Sequence, residues 1–466
     1  MGYPHYFESF DYAAMLRTHP IGTDFTAEFA QRSRAAIRAH QNDLLQRCIA
    51  RAWEIPFYQR LWSRHGVTRS QIQTLDDLQQ LPIFDKSALL RSIAKHPPYG
   101  DYHGWDRTAA AQRPVTVLHT TSGTTGRPQM VWFSPKSREV QALLVARIYR
   151  MQGLLPEDVI HSTYGHGMIN GGHFVREAVH HYTNNLFLSA GTGKETRSVT
   201  QIELLRDLGV TVLVGFIDYI RKLAETARGM DLLPGRDLRI RMISGQIGRE
   251  SREVLARAWG GAQIFDWYGV ADTGPIAAEC PDQNGLYVME DAHYLEIVDP
   301  ATHSTCAAGV LGDMVVTSLY RDDIYPLIRF NTHDVSAWCD GAGQYSLQRI
   351  AGVLGRSDNM VKLRGINVYP LALAAILNEH PAFAGEYICR ATRDAAGRDE
   401  LSVCIETRAG VTITDALSHE FALLLARRLG VELRVELLPV GATAALTQIE
   451  SRQKPLRLID ERKAAT

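Results

Sequence analysis

The densest cluster of chemistry-bearing residues in the chain is His119-Thr-Thr-Ser-Gly-Thr-Thr-Gly-Arg-Pro128. Its centre is Thr121, Ser122, Gly123, Thr124, Thr125 and Gly126, four hydroxyls and two glycines in six positions. Glycine lets a backbone bend close to a ligand, and hydroxyl and amide donors together suit a multiply charged anion, so a triphosphate is the natural guest. The GxxxxGK[ST] spacing of a Walker loop is lacking, and a hydroxyl-rich surface turn has the same composition. The rest of the chain must decide between these two possibilities.

A phosphate loop needs a sheet to carry it. This one follows the apolar run PVTVL, and VTVLVGF, LRIRMIS and AQIFDWYG are similar runs that end in glycine or small polar residues. Such runs between helical stretches predict an α/β fold with a mainly parallel sheet, whose ligands sit beyond the carboxyl ends of the strands. Upstream, Phe29, Ile37, Leu44, Leu45, Cys48 and Ile49 predict a helix over 26–60 that Pro56 stops. TLDDLQQLPIFDKSALLRSI predicts a helix that starts at Thr74, breaks at Pro82 and resumes after Asp85. From Leu286 to Cys339, YLEIVD, DMVVTSL and LIRFNTHD are spaced as hairpins and predict a β subdomain. The polar, Gly-rich segment 355–370 precedes a fresh α/β pattern, which places a boundary near Asp358 between an N-terminal domain, 1–357, and a smaller α+β domain, 358–466.

Composition excludes some functions. Lys plus Arg number 50 against 51 Asp plus Glu, so no charge excess points to nucleic acid or an anionic membrane. No basic leader and no run of about eighteen apolar residues is seen, and a cytoplasmic protein is expected. The six cysteines are scattered without a CxxC pair, so neither a disulfide framework nor a zinc ribbon is expected.

The loop, DWYGVAD (266–272), RFNTHD (329–334), GRSDNMVKLRG (355–365) and Lys454 together resemble the adenylate-forming superfamily of acyl-CoA synthetases and adenylation domains. IPFYQRLWSRHGV, LPIFDKSALL, YGHGMINGGHF, GPIAAEC and ESRQKPLRLID resemble its phenylacetate-CoA ligase-like branch. The resemblance implies a large adenylating domain and a small mobile one carrying a catalytic lysine. The implied reaction has two halves: a carboxylate takes the AMP of ATP, expelling pyrophosphate, and a thiol, most naturally coenzyme A, then displaces AMP.

The same resemblance assigns roles. Thr121 to Gly126 would hold the β and γ phosphates, with Gln129 where many members have lysine. Ser244, Gly245 and Gln246 would line adenine on one side, Gln246 replacing a usual glutamate, and Tyr268 would face it from a loop with Asp266, Trp267 and Gly269. Asp272, where glutamate is usual, would hold Mg²⁺; a helix N-cap is its rival role. Asp334 would bind the ribose hydroxyls, Arg356 the nucleotide and Lys454 the α-phosphate and carboxylate, with Asp358 as the hinge; Arg329 is weighed as a structural ion pair. Tyr164, His166, Gly167, Met168, Asn170 and Gly171 would form the acid pocket, whose polarity suggests an aryl acid bearing hydroxyl or amino groups, while His173 is read as a satisfied core histidine. Some relatives carry a zinc cluster; here Cys280 and Cys306 remain, Tyr287 stands where a histidine is sought, and no zinc is expected. The partners foreseen are a small acid, ATP, Mg²⁺ and coenzyme A, with a carrier protein and a second copy of the chain left open. Other outcomes are transfer of the adenylate to an amine, activation of an oxyanion such as nitrite to diazotise an aryl amine, or a binding protein without catalysis.

Overall fold

The computed structural model describes residues 6–107, 109, 113–121, 129–247, 252–364, 366–394, 397–448 and 456–463. The chain divides into two compact units. The first comprises Met1–Gln246, Leu255–Thr332 and Ala337–Gly352; the second comprises Ile247–Val254, His333–Ser336 and Val353–Thr466. Asp358 lies inside the second unit, and strand Phe330–Ser336 runs from one unit into the other.

The first unit is built on an eight-stranded sheet, ordered Arg349–Ile350, Leu286–Val288, Gly274–Ala278, Gln263–Val270, Met242–Gly245, Val212–Val214, Val159–Ser162 and Leu186–Ser189. From Leu186–Ser189 to Gln263–Val270 the pairing is parallel. Beyond Gln263–Val270 it is antiparallel. Val212, Leu213 and Val214 are all buried, as a parallel strand covered on both faces requires. Strands His293–Val298 and Gly312–Ser318 pair antiparallel in the part of the chain expected to form hairpins.

One apolar run departs from the parallel pattern. PVTVL feeds strand Val117–Thr120, which pairs antiparallel with Met130–Phe133 in a separate two-stranded ribbon. A connection of only nine residues is too short for the crossover that parallel strands need. The hydroxyl-rich segment therefore joins two antiparallel strands instead of leading from a sheet strand into a helix.

The helical opening is also more broken than its spacing predicts. Asp24–Glu28 is a π-helical turn, Phe29–Gln31 a 3₁₀ turn, and the α-helix begins only at Arg34, where Ser33 Oγ accepts from the amide of Ala36. It ends at Ala52, and Pro56 opens the next helix, Pro56–Ser63, because proline at a first helical position sacrifices no hydrogen bond. Thr74 caps a 3₁₀ segment, Leu75–Gln80, and Asp85 caps Lys86–Lys95, its carboxylate accepting from Ala88.

Helix Pro135–Met151 is buried on all sides. Its polar side chains therefore need internal partners, and Arg147 finds one in Asp291 at 2.7 Å. Arg138 and Gln141 on the same helix reach the candidate site. Among the described residues no helix is long and apolar enough to cross a membrane.

In the second unit, Phe383–Arg393 and Asp399–Thr407 pair antiparallel, with Leu458–Asp460 parallel on one side and Arg434–Leu438 parallel on the other. Helix Asp415–Leu429 buries Phe421 and Leu425 in a core with Leu373, Tyr387 and Ile405.

Candidate active site

Of the hydroxyl-rich segment, Thr121 is described; Ser122, Gly123, Thr124, Thr125 and Gly126 lie outside the described residues, as does Lys454. The neck of the segment is well defined. The Thr121 amide donates to Gln129 O at 3.0 Å, and the preceding Thr120 amide donates to Met168 O at 2.8 Å. Thr121 Oγ1 is buried and has no hydrogen-bond partner among the described residues.

Met168 belongs to the segment Tyr164–Gly172, which follows strand Val159–Ser162 at its carboxyl end and enters helix Gly171–Tyr182. The geometry explains one of the paired glycines. A Cβ on Gly172 would collide with Gly165 O, whereas one on Gly171 would make only ordinary contact, 3.7 Å, with the ring of Tyr164. The Tyr164 ring is buried against Phe216, and burial pushes its phenol above the ordinary range. Asn170 donates to Gln141 at 2.8 Å, and its buried Oδ1 has no partner among the described residues. His166 Nε2 lies 2.9 Å from Ser189 Oγ; burial and the adjacent His173 hold its pKa below the ordinary value, so it is neutral at pH 7. Gly167 has open space around its α-carbon, and Met168 is 54% exposed.

Ser244 and Gly245 end the next strand but one, Met242–Gly245, and Ser244 Oγ is a further buried atom without a partner. Gln246 donates to Gly269 O at 3.0 Å and so ties this strand end to its neighbour. Asp266, Trp267, Tyr268 and Gly269 do not form a loop. All four lie within strand Gln263–Val270, because the strand continues into an antiparallel hairpin with Gly274–Ala278. The Asp266 amide donates to the Glu279 carboxylate at 2.7 Å, and the Tyr268 hydroxyl donates to Thr332 at 3.1 Å. Both aromatic side chains are buried, Tyr268 at 2% exposure.

Asp272 sits in the turn of that hairpin, so the N-cap alternative falls: a strand follows it, not a helix. Its Oδ1 accepts from Gln129 Nε2 and, at 3.2 Å, from Tyr325. Burial pushes its carboxyl above the usual carboxylate range, opposed by these hydrogen bonds and by Arg321. A hard oxygen donor whose ionised form is disfavoured by its surroundings suits a cation, which would restore that form. Among the described residues no group of three or more His, Cys, Asp or Glu is arranged as a metal site. Gln129, where lysine is common, is thus the partner of Asp272, a pairing that spacing along the chain could not reveal.

In the second unit Asp334 and Arg356 are register partners across an antiparallel pair, joined by a 2.9 Å ion pair. Arg356 also grips Asp358 with both ends of its guanidinium, at 2.9 and 2.7 Å. The candidate ribose, nucleotide and hinge residues are therefore one hydrogen-bonded unit. Arg329, by contrast, pairs with buried Glu296 at 2.9 Å and donates to Leu81 O, a structural role. Tyr287 donates to Asp282 and accepts from the Gln344 amide, so its hydroxyl is fully used.

Residues 365–462 match the model of the AMP-binding enzyme C-terminal domain. The chain is 27% identical over 379 residues to a phenylacetate-coenzyme A ligase of Aromatoleum evansii, covering 80% of this chain and 82% of that one. It is 28% identical over 433 residues to the phenylacetate-coenzyme A ligase of Thermus thermophilus, covering 88% and 94%. Among solved structures it resembles 2-hydroxyisobutyryl-CoA ligase in the postadenylation state, with a TM-score of 0.81, 25% identity and coverage of 93% and 91%. Its motifs, its fold and these relatives support an AMP-forming, phenylacetate-CoA ligase-like enzyme.

Proposed function

We propose that the enzyme adenylates an aryl carboxylic acid bearing hydroxyl or amino groups and transfers the acyl group to coenzyme A. The observation that carries this reading is the 2.8 Å hydrogen bond from Thr120 to Met168 O, which joins the root of the hydroxyl-rich segment to the segment assigned to the acid. An acid held beside the phosphates can present its carboxylate oxygen to the α-phosphorus. That O–P bond forms as the bond to the bridging oxygen of the β-phosphate breaks, and pyrophosphate leaves. In the second half the thiol sulfur attacks the acyl carbon, the C–O bond to AMP breaks, and the thiol proton passes to water.

In this reading donors of residues 121–126 and Lys454 stabilise charge on the phosphates. Tyr268 and Gln246 border adenine, and Asp334 with Arg356 binds the ribose. Asp272, directed by Gln129 and Tyr325, holds Mg²⁺, whose charge offsets that of the phosphates. The buried, unpartnered Oδ1 of Asn170 favours an acid with a donor substituent, since an unsatisfied buried acceptor costs about 1–3 kcal/mol.

The test is pyrophosphate release with ATP and Mg²⁺ over phenylacetate, 4-hydroxybenzoate, 4-aminobenzoate, 2-hydroxyisobutyrate and nitrite, with products identified by mass spectrometry with and without coenzyme A. Release with the substituted benzoates, and a thioester when coenzyme A is present, is expected. Release with nitrite alone would overturn the carboxylate reading in favour of the variant that Asp272, Gln246 and the polar pocket also fit. Release with 2-hydroxyisobutyrate alone would overturn the aryl assignment.

A further inference from the structure

Three histidines gather around the acid segment, and geometry fixes the proton positions of two of them, His119 and His173. Arg138 Nη1 lies 3.0 Å from His119 Nε2. A guanidinium only donates, so His119 Nε2 accepts and its proton sits on Nδ1. Nδ1 lies 3.3 Å from Met168 O, which only accepts, and the pair is satisfied. His173 Nε2 lies 2.8 Å from His166 O and 3.0 Å from Gly167 O, so its proton is on Nε2. The carbonyls of three successive residues, 166, 167 and 168, thus each receive an imidazole N–H. Arg138 is itself held by an ion pair with Glu177, and both side chains are largely buried. The His119 ring packs 4.8 Å from that of His173.

We infer that His119 and His173, with Arg138 behind them, are positioning residues that fix the acid segment by its carbonyls against the strand leading into the phosphate segment. This deepens, and rests on, the proposed assignment of 164–171 as the acid pocket. The device has a direction. His119 belongs to strand Val117–Thr120, so its contact and that of the Thr120 amide converge on the same oxygen, Met168 O. Any shift of the acid segment relative to that strand breaks both at once. The His119 imidazole is suited to the task because burial, Arg138 and His173 push its pKa down to about 4, so the ring stays neutral at neutral pH and its two hydrogen bonds select the tautomer. The exposed Met168 side chain is incidental to this role, which its carbonyl performs.

The test uses side chains that imitate one ring nitrogen. Asparagine places an amide N–H near the position of Nδ1, whereas phenylalanine keeps the ring without it. With 4-hydroxybenzoate as the acid, His119→Phe is expected to raise KM for the acid about tenfold, the effect of one lost buried hydrogen bond, and to leave KM for ATP within about twofold. His119→Asn is expected to restore the acid KM. Amide hydrogen exchange of the peptide 164–172 supplies a readout independent of turnover, expected about tenfold faster in His119→Phe and restored in His119→Asn. Equal exchange and equal KM in His119→Phe and the unaltered enzyme would overturn the inference, as would equal impairment in both variants. If the unaltered enzyme turned over no acid, the proposed function would fail, and the exchange rates alone would still decide the clamp.

Discussion

The two carboxylates proposed to serve the nucleotide, one in each unit, have different surroundings. Asp272, in the first unit, is buried, receives neutral donors from Gln129 and Tyr325, and has its carboxyl pushed up by desolvation. Asp334, in the second, is also buried, but its partner is the guanidinium of Arg356, whose side chain is 31% exposed and shared with Asp358 at 42%. A buried carboxylate with neutral partners is costly to ionise and costly to move, and such a group suits a fixed binding surface. The pair that Arg356 makes with the exposed Asp358 is worth about 0–1 kcal/mol and can be exchanged for another at little cost. On the proposed function this is the division of labour expected: a rigid phosphate end and a readily rearranged end, next to the residue assigned as hinge.

The largest effect should come from the residue assigned to the transition state. Lys454→Ala is expected to slow adenylation by about 10²–10³-fold, the usual effect of removing one donor to a developing charge. Attack of coenzyme A on separately supplied acyl-AMP should survive. Single-turnover rates of the two halves measure this: equal loss in both would refute a role specific to adenylation, and an unchanged adenylation rate would remove Lys454 from the first half.

Next in size is Asp272→Asn, which sharpens the contrast directly. The Mg²⁺ concentration for half-maximal rate should rise about 10–100-fold. The ligand-free protein should become more stable at pH 7, because the unfolded carboxyl ionises freely while the buried one resists. The sign follows from linkage. A folded pKa raised above the unfolded one favours the fold below the unfolded value and loses that advantage as pH rises through the folded value. Thermal melting of both proteins between pH 4 and 8 tests this, since the gap should widen with pH. In the unaltered enzyme the Mg²⁺ requirement should grow as pH falls, because protons and the cation compete for the same carboxylate.

Much of this organisation was legible in the chain. The strands VTVLVGF, LRIRMIS and AQIFDWYG form as expected, because apolar runs of that length and β-branched content are buried on both faces of a parallel sheet. PVTVL has the same texture yet pairs antiparallel, since its partner is chosen by the length of the connection and not by its own residues. The resemblance places Asp266 to Gly269 in a loop, whereas the hairpin keeps them extended. The pairing of Gln129 with Asp272, and of Arg138 with His119, spans 143 and 19 residues, and no periodicity reports contacts of that kind. What spacing did report was the departure itself, a glutamine where lysine is common and an aspartate where glutamate is common. Read together, those two departures are a single site.

The smallest effect is expected at the exposed end, where the comparison is most easily broken. Asp358→Asn removes a charge from Arg356 but leaves its ion pair with Asp334, at 2.9 Å, in place. Stability should change by less than about 1 kcal/mol, as for other exposed pairs, and KM for ATP should stay within about twofold because Asp334 keeps its partner. If Asp358 is the hinge, the cost should fall on the thioester half, slowed by a few-fold relative to adenylation, since only that half requires the rotation. Gln129→Leu provides the matching change at the buried end. It strips Asp272 of one donor and should cost about 1–3 kcal/mol of stability or of Mg²⁺ binding. Were Asp358→Asn to destabilise the protein as much as Gln129→Leu, the second unit would be as rigidly held as the first, and the proposed division between a fixed phosphate end and a movable hinge would be lost.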